Sequence, residues 1–163
     1  MQNKALVIID IQNDTPKNYK EVIDNIYKSI DFAVNNNIHV IYIMHENLSA
    51  GTRIFKPGTH GSELASDLKK VSKNVFTKHK GSALTSEDFV NFINANKIHE
   101  FYITGGDATI CVKSTCFNLR KANYEVTVLS DCITSWSKKE IPGMIKYYES
   151  KGCKIVTLNE LSI

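Results

Sequence analysis

Residues 100–112, E-F-Y-I-T-G-G-D-A-T-I-C-V, run a short apolar segment into a glycine-rich corner and place a cysteine just beyond it. Residues 100–104 read as a strand, the paired glycines let the backbone turn sharply, and a helix is expected over 109–122. Cys111 then falls in the first turn of that helix. Unpaired backbone N–H groups and the positive end of the helix dipole favour an anion there, so the thiol is expected to ionise more readily than that of a free cysteine. That is the setting of a nucleophile.

Working outward from this corner, apolar runs alternate with amphipathic segments. Residues 5–9, A-L-V-I-I, form a continuous apolar run suited to a strand buried on both faces. Over 18–36, Val22, Ile23, Ile26, Ile30, Ala33 and Val34 recur at helical spacing, and the asparagines at 35–37 supply a stop. A second strand is expected at 40–44, followed by a long loop, 45–61, rich in glycine and proline. Ser62 is expected to open a short helix carrying Leu64 and Leu68, and a brief third strand to follow at 74–77. Ser86, with Glu87 and Asp88 behind it, reads as the cap of a helix bearing Phe89, Phe92 and Ile93. After the cysteine corner come a strand at 125–129, a helix at 138–150 and a sixth strand at 154–158. Such alternation implies parallel strands joined by right-handed crossovers, hence a three-layer α/β/α sandwich.

Composition narrows the function classes. With 163 residues, 42% of them hydrophobic and 23% charged, the chain suits one domain spanning 1–163 with a full core. Its net charge of +3 comes from 20 basic and 17 acidic residues dispersed along the sequence, which leaves no footprint for nucleic acid or a membrane surface. No apolar run reaches the roughly 18–20 residues that span a bilayer, and the N-terminus leads straight into a strand, so a soluble cytoplasmic protein is expected. Cysteines 111, 116, 132 and 153 lack the paired spacing of zinc sites and the density of a disulfide scaffold. Cys116, Cys132 and Cys153 read as small buried apolar residues.

Ligands of parallel sheets bind outside the carboxyl ends of the strands, so chemistry is sought in residues that follow each strand. Asp10 ends the first, Lys78 follows the third in F-T-K-H-K-G-S-A-L, and Cys111 follows the fourth. Taken singly they read as a turn residue, a surface lysine and a small buried residue. Together they supply a base for a thiol proton, a cation to favour developing negative charge, and a nucleophile.

Five segments carry a resemblance that spans nearly the whole chain: 5–14 (A-L-V-I-I-D-I-Q-N-D), 56–64 (K-P-G-T-H-G-S-E-L), 77–84 (T-K-H-K-G-S-A-L), 104–115 (T-G-G-D-A-T-I-C-V-K-S-T) and 124–135 (Y-E-V-T-V-L-S-D-C-I-T-S). In this order they resemble the isochorismatase-like cysteine hydrolase superfamily, which includes nicotinamidases and related amidases. The resemblance implies a six-stranded parallel sheet of order 3-2-1-4-5-6 and a catalytic triad of Asp10, Lys78 and Cys111. It further implies an oxyanion hole made by the backbone N–H groups of Asp107 and Cys111, and a non-proline cis peptide at Gly106 and Asp107. Gln12, His79 and Ala108 are candidate substrate contacts, the substrate being a small amide. Assembly into dimers or larger homo-oligomers is implied as well.

Departures from the family pattern carry information. Ala108 stands where many members have threonine, which weakens transfer of substrate more than transfer of the triad. Nicotinamidases hold a metal with D-x-H and a later histidine, whereas this chain has M-H-E-N at 44–47. His45 and His60 are therefore read as hydrogen-bonded loop or core residues, and neither metal nor cofactor is expected. Trp136 is read as ordinarily part-buried, with a pocket wall or an interface as the other reading. Specificity is assigned to the loops 45–61 and 132–140. Three rival readings remain: vinyl-ether cleavage, which needs the Asp and no thiol; a binding module, disfavoured because no glycine follows Asp10 in D-I-Q-N-D; and a redox sensor built on Cys111.

Overall fold

The computed structural model describes residues 1–15 and 17–161, with the side chains of residues 17 and 18 also left aside. Six parallel strands make one sheet: β1 (Lys4–Ile9), β2 (His39–His45), β3 (Val75–Lys78), β4 (Glu100–Gly105), β5 (Glu125–Ile133) and β6 (Lys154–Val156). Their spatial order is β3-β2-β1-β4-β5-β6, as expected. The helices are α1 (Ile23–Asn35), α2 (Glu87–Ala95), α3 (Cys111–Lys121) and α4 (Ile141–Ser150).

Two apolar layers hold the sandwich. Ala5, Val7 and Ile9 of β1 face one side and pack with Phe89 and Ile93 of α2, Val112 and Leu119 of α3, and Tyr148 of α4. Leu6 and Ile8 face the other side with Ile26, Ile30 and Ala33 of α1. The period of two on the strand and of about four on the helices is what lets each element cover one layer. Ser86 caps α2 as read, its hydroxyl accepting from the Phe89 N–H at 3.3 Å.

Four local expectations need correction. No helix starts at Ser62: a single 3-10 turn spans His60–Ser62, and Leu64 then forms an antiparallel bridge to Gln12. The backbone there is claimed by the first loop, because Asn13 N–H donates to Glu63 and Ala65 N–H to Ile11, so the apolar Leu64 and Leu68 are buried without a helix. The helix after the corner begins at Cys111, two residues later than read. β5 continues to Ile133, past the expected end, because its pairing with β4 shifts between Ile103 and Gly105 and brings Ile133 opposite Gly105. That irregularity carries residues 134–136 across the cysteine corner. The first turn of the 138–150 segment is 3-10, Lys138–Glu140, with α4 following.

Candidate active site

The corner at the end of β4 requires glycine at 105 and is tight at 106. Gly105 has φ +107°, and a Cβ there would lie 2.2 Å from the carbonyl oxygen of Ile9 on the neighbouring strand. A Cβ on Gly106 would meet Thr134 at 3.2 Å. The Gly106–Asp107 peptide is cis, at the position the resemblance implied. The Asp107 carboxylate then ties the corner to the segment after β5: Oδ1 accepts from the N–H and hydroxyl of Thr109 and from the Ser135 hydroxyl, each at 2.8 Å, and Oδ2 accepts from the Trp136 N–H at 2.8 Å. These donors outweigh its desolvation and hold the carboxyl below the usual range.

Three strand ends converge beside this corner. Lys78, the last residue of β3, is 1% exposed. Its Nζ lies 3.0 Å from Asp10 Oδ2, 3.4 Å from Cys111 Sγ and 3.2 Å from His45 Nδ1. Asp10 follows β1 with φ 54°, a left-handed turn that bends its side chain out of the strand line. Its second oxygen, Oδ1, is buried with no hydrogen-bond partner among the described residues. Asp10, Lys78 and Cys111 are thus brought together as the sequence led one to expect.

Their electrostatics differ from that expectation in one respect. Burial, reinforced by the neighbouring Asp10 carboxylate, pushes the Cys111 thiol up to about 12, with Lys78 opposing. A helix N-terminus contributes about 0.3–1 kcal/mol, which does not offset loss of water and an adjacent carboxylate. The balance favours the protonated thiol. Asp10 is likewise raised by burial, with Lys78 opposing. A protonated thiol beside a carboxylate of raised basicity is the arrangement of a general-base pair rather than of a stored thiolate.

A pocket of about 230 Å³ opens over Asp10 and Cys111. Its apolar wall is Ile54, Phe55, Ile110 and Trp136, and its polar side includes His45 and Asn47. Trp136 is 67% exposed at the rim, so the part-buried reading does not hold. The N–H groups of Asp107 and Cys111 donate to no protein acceptor among the described residues, while that of Val112 turns back to the Asp107 carbonyl at 3.0 Å.

The three candidate substrate contacts lie away from this pocket. Gln12 is fully buried, and its amide is spent on the backbone: Nε2 donates to the carbonyls of His45 at 2.9 Å and Ser62 at 2.7 Å, and Oε1 accepts from the His45 N–H at 2.9 Å. His79 is exposed, its ring 3.2 Å from the Glu46 carbonyl. Ala108 is packed in the core, where its carbonyl accepts from the Tyr148 hydroxyl. Conversely, His45 was missed as part of the site. Burial and the facing Lys78 hold its imidazole down to about 4. Among the described residues no group of three or more His, Cys, Asp or Glu side chains is placed to hold a metal ion. His60 is exposed and pairs with Glu63.

The sequence profile of the isochorismatase domain matches residues 4–160. The chain belongs to the isochorismatase family. Isochorismatase family protein 2A of Dictyostelium discoideum is 29% identical over 153 residues, covering 91% of this chain and 74% of its own length. Among solved structures, N-carbamoylsarcosine amidase of Thermoplasma acidophilum superposes with a TM-score of 0.86 at 20% identity, over 99% of this chain and 100% of that one. Pyrazinamidase of Pyrococcus horikoshii, solved in complex with zinc, gives 0.84 at 19% identity, over 96% and 99%. At these identities the structural likeness speaks for the shared fold of this isochorismatase-family chain.

Proposed function

We propose that this chain is a cysteine amidase that hydrolyses the C–N bond of a small carboxamide through a thioester on Cys111. The observation that carries the reading is the convergence of Lys78 on Asp10 and Cys111, which both line one pocket, with Nζ of Lys78 within 3.4 Å of both partners. Family membership and the amidases among the structural neighbours support it.

In the first step Asp10 takes the thiol proton as Cys111 Sγ attacks the amide carbonyl carbon. The carbonyl π electrons move to oxygen, where the N–H groups of Asp107 and Cys111 receive the oxyanion; one such donor is typically worth about 3–4 kcal/mol. Lys78 balances the charge passing between thiol and carboxylate. The C–N bond then breaks, Asp10 returns its proton to the departing nitrogen, and ammonia or an amine leaves. Water enters, gives a proton to Asp10 and attacks the thioester; the C–S bond breaks, the acid is released, and the proton returns to sulfur. Neither metal nor cofactor enters this scheme.

A screen of small amides with ammonia release as readout, run beside Cys111→Ala, tests the proposal: hydrolysis that Cys111→Ala leaves intact would refute it. Protonation of a vinyl ether is the second reading, favoured by the raised Asp10 carboxyl; it needs no thiol and would survive the same substitution. Self-assembly is the further expectation, supported by Leu48, Ile54, Ile110 and Trp136, which stand 45–67% exposed near the pocket mouth.

A further inference from the structure

We propose that His45 is a positioning residue that fixes the Lys78 ammonium and so keeps the second oxygen of Asp10 open as the base. The inference rests on the reading of Lys78 and Cys111 as working partners. An ammonium has three N–H donors and no acceptor. Lys78 Nζ has three neighbours to receive them: Asp10 Oδ2, His45 Nδ1 and Cys111 Sγ. His45 Nδ1 therefore presents its lone pair, and the ring proton sits on Nε2. The lowered basicity of this ring agrees.

His45 is held at its backbone and at its ring. Gln12 clamps the His45 backbone through its N–H and its carbonyl, each at 2.9 Å, and Phe55 packs edge-on against the imidazole with centroids 5.7 Å apart. Gln12 is thus assigned a role as well: its buried amide sets the histidine that sets the lysine. The charged and titratable groups facing the ring are Lys78 from β3, Asp10 beyond it from β1, and the exposed His79 after β3. With an ammonium at Nδ1, that nitrogen is closed to a metal.

Without the imidazole acceptor, the third N–H of Lys78 would lack a partner in a buried site, and Asp10 Oδ1 is the unpartnered acceptor close by. A lysine bridging both carboxylate oxygens would place an N–H on the oxygen otherwise left to the thiol proton, lower its basicity, and draw the ammonium from Cys111. His45 prevents this by occupying that donor.

The test uses iodoacetamide on the full chain, with alkylation of the Cys111 peptide followed by mass across pH. His45→Leu removes the acceptor; His45→Asn offers Oδ1 near the place of Nδ1. His45→Leu is expected to slow Cys111 alkylation about tenfold near pH 8 and to move its profile about one unit alkaline, with His45→Asn within about threefold of wild type. A wild-type rate and profile in His45→Leu, or equal loss in a folded His45→Asn, overturns the proposal. Should His45→Leu fail to fold, ring ¹⁵N shifts of the unaltered protein decide: unprotonated Nδ1 with protonated Nε2 from about pH 6 to 8 supports it, and Nδ1–H or an imidazolium in that range overturns it. Unchanged alkylation in His45→Leu alongside amide hydrolysis lost in Cys111→Ala would remove the positioning role and leave the amidase reading standing.

Discussion

Lys78 Nζ donates to one oxygen of the Asp10 carboxylate at 3.0 Å, and the other oxygen, Oδ1, is buried with no hydrogen-bond partner of ordinary geometry among the described residues. A buried ion pair made for stability would satisfy both oxygens, since each unsatisfied buried acceptor costs about 1–3 kcal/mol. This one is left half-open toward the thiol, which is what a proton acceptor requires.

The charge arrangement predicts how Cys111 titrates. Its iodoacetamide alkylation should rise at more alkaline pH than that of free cysteine, because burial and the Asp10 carboxylate disfavour the thiolate. Asp10→Asn removes that negative charge and should move the profile toward lower pH by about one unit; Lys78→Met should move it the other way. Shifts of opposite sign would contradict the assigned electrostatics.

Breaking the buried pair from the lysine side should be costly. Lys78→Met strands a carboxylate with 7% side-chain exposure, and the expected loss is about 3–5 kcal/mol in urea unfolding. The double change with Asp10→Asn should recover much of it, since no uncompensated charge then remains.

Acid should destabilise the fold through His45. Its folded-state value of about 4 lies below the ordinary 6.5, so the unfolded chain takes up a proton that the folded chain refuses. This contribution is present above pH 6.5 and is lost as pH falls through 4. Allowing for partial exposure of the ring, it is on the order of 2 kcal/mol. Urea unfolding of wild type and His45→Asn at neutral and acid pH checks it: the variant should lack this acid-labile component.

Much of this architecture is written in local sequence. Apolar runs such as 5–9 and the helical spacing of Ile26, Ile30 and Ala33 determine layer and element without long-range information. Asp10, Lys78 and Cys111 were legible because strand ends of a parallel sheet meet on one edge. His45 was not, because a histidine ending β2 looks like any loop residue until β3 brings Lys78 opposite it, at the register pair His45 and Lys78. Gln12 is the converse case: a polar residue two positions after Asp10 suggests a substrate contact, yet its amide is consumed by the backbone of His45 and Ser62. The basicity of the thiol is not legible, since helix placement can be read locally while burial of Cys111 depends on the surrounding fold. Asp107 did carry a local signal: Asp two residues before Thr is the spacing of an Asx turn, which the Thr109 contacts complete.

The cysteine corner tolerates no side chain at its first glycine. Gly105→Ala combines a left-handed φ with a Cβ 2.2 Å from the Ile9 carbonyl oxygen, and neither backbone can yield without disturbing the β1–β4 pairing. A loss of at least about 3 kcal/mol is expected, read as a lowered melting temperature or failure to accumulate soluble protein.

The central claim, that Cys111 carries the acyl group, is tested most directly by intact-mass measurement of the protein quenched in acid during turnover of an amide found by ammonia release. The expected result is a mass increase equal to the acyl group, located on Cys111 by peptide mapping and lost in Cys111→Ala together with turnover. Turnover that persists in Cys111→Ala, or an acyl group on any other residue, would contradict it.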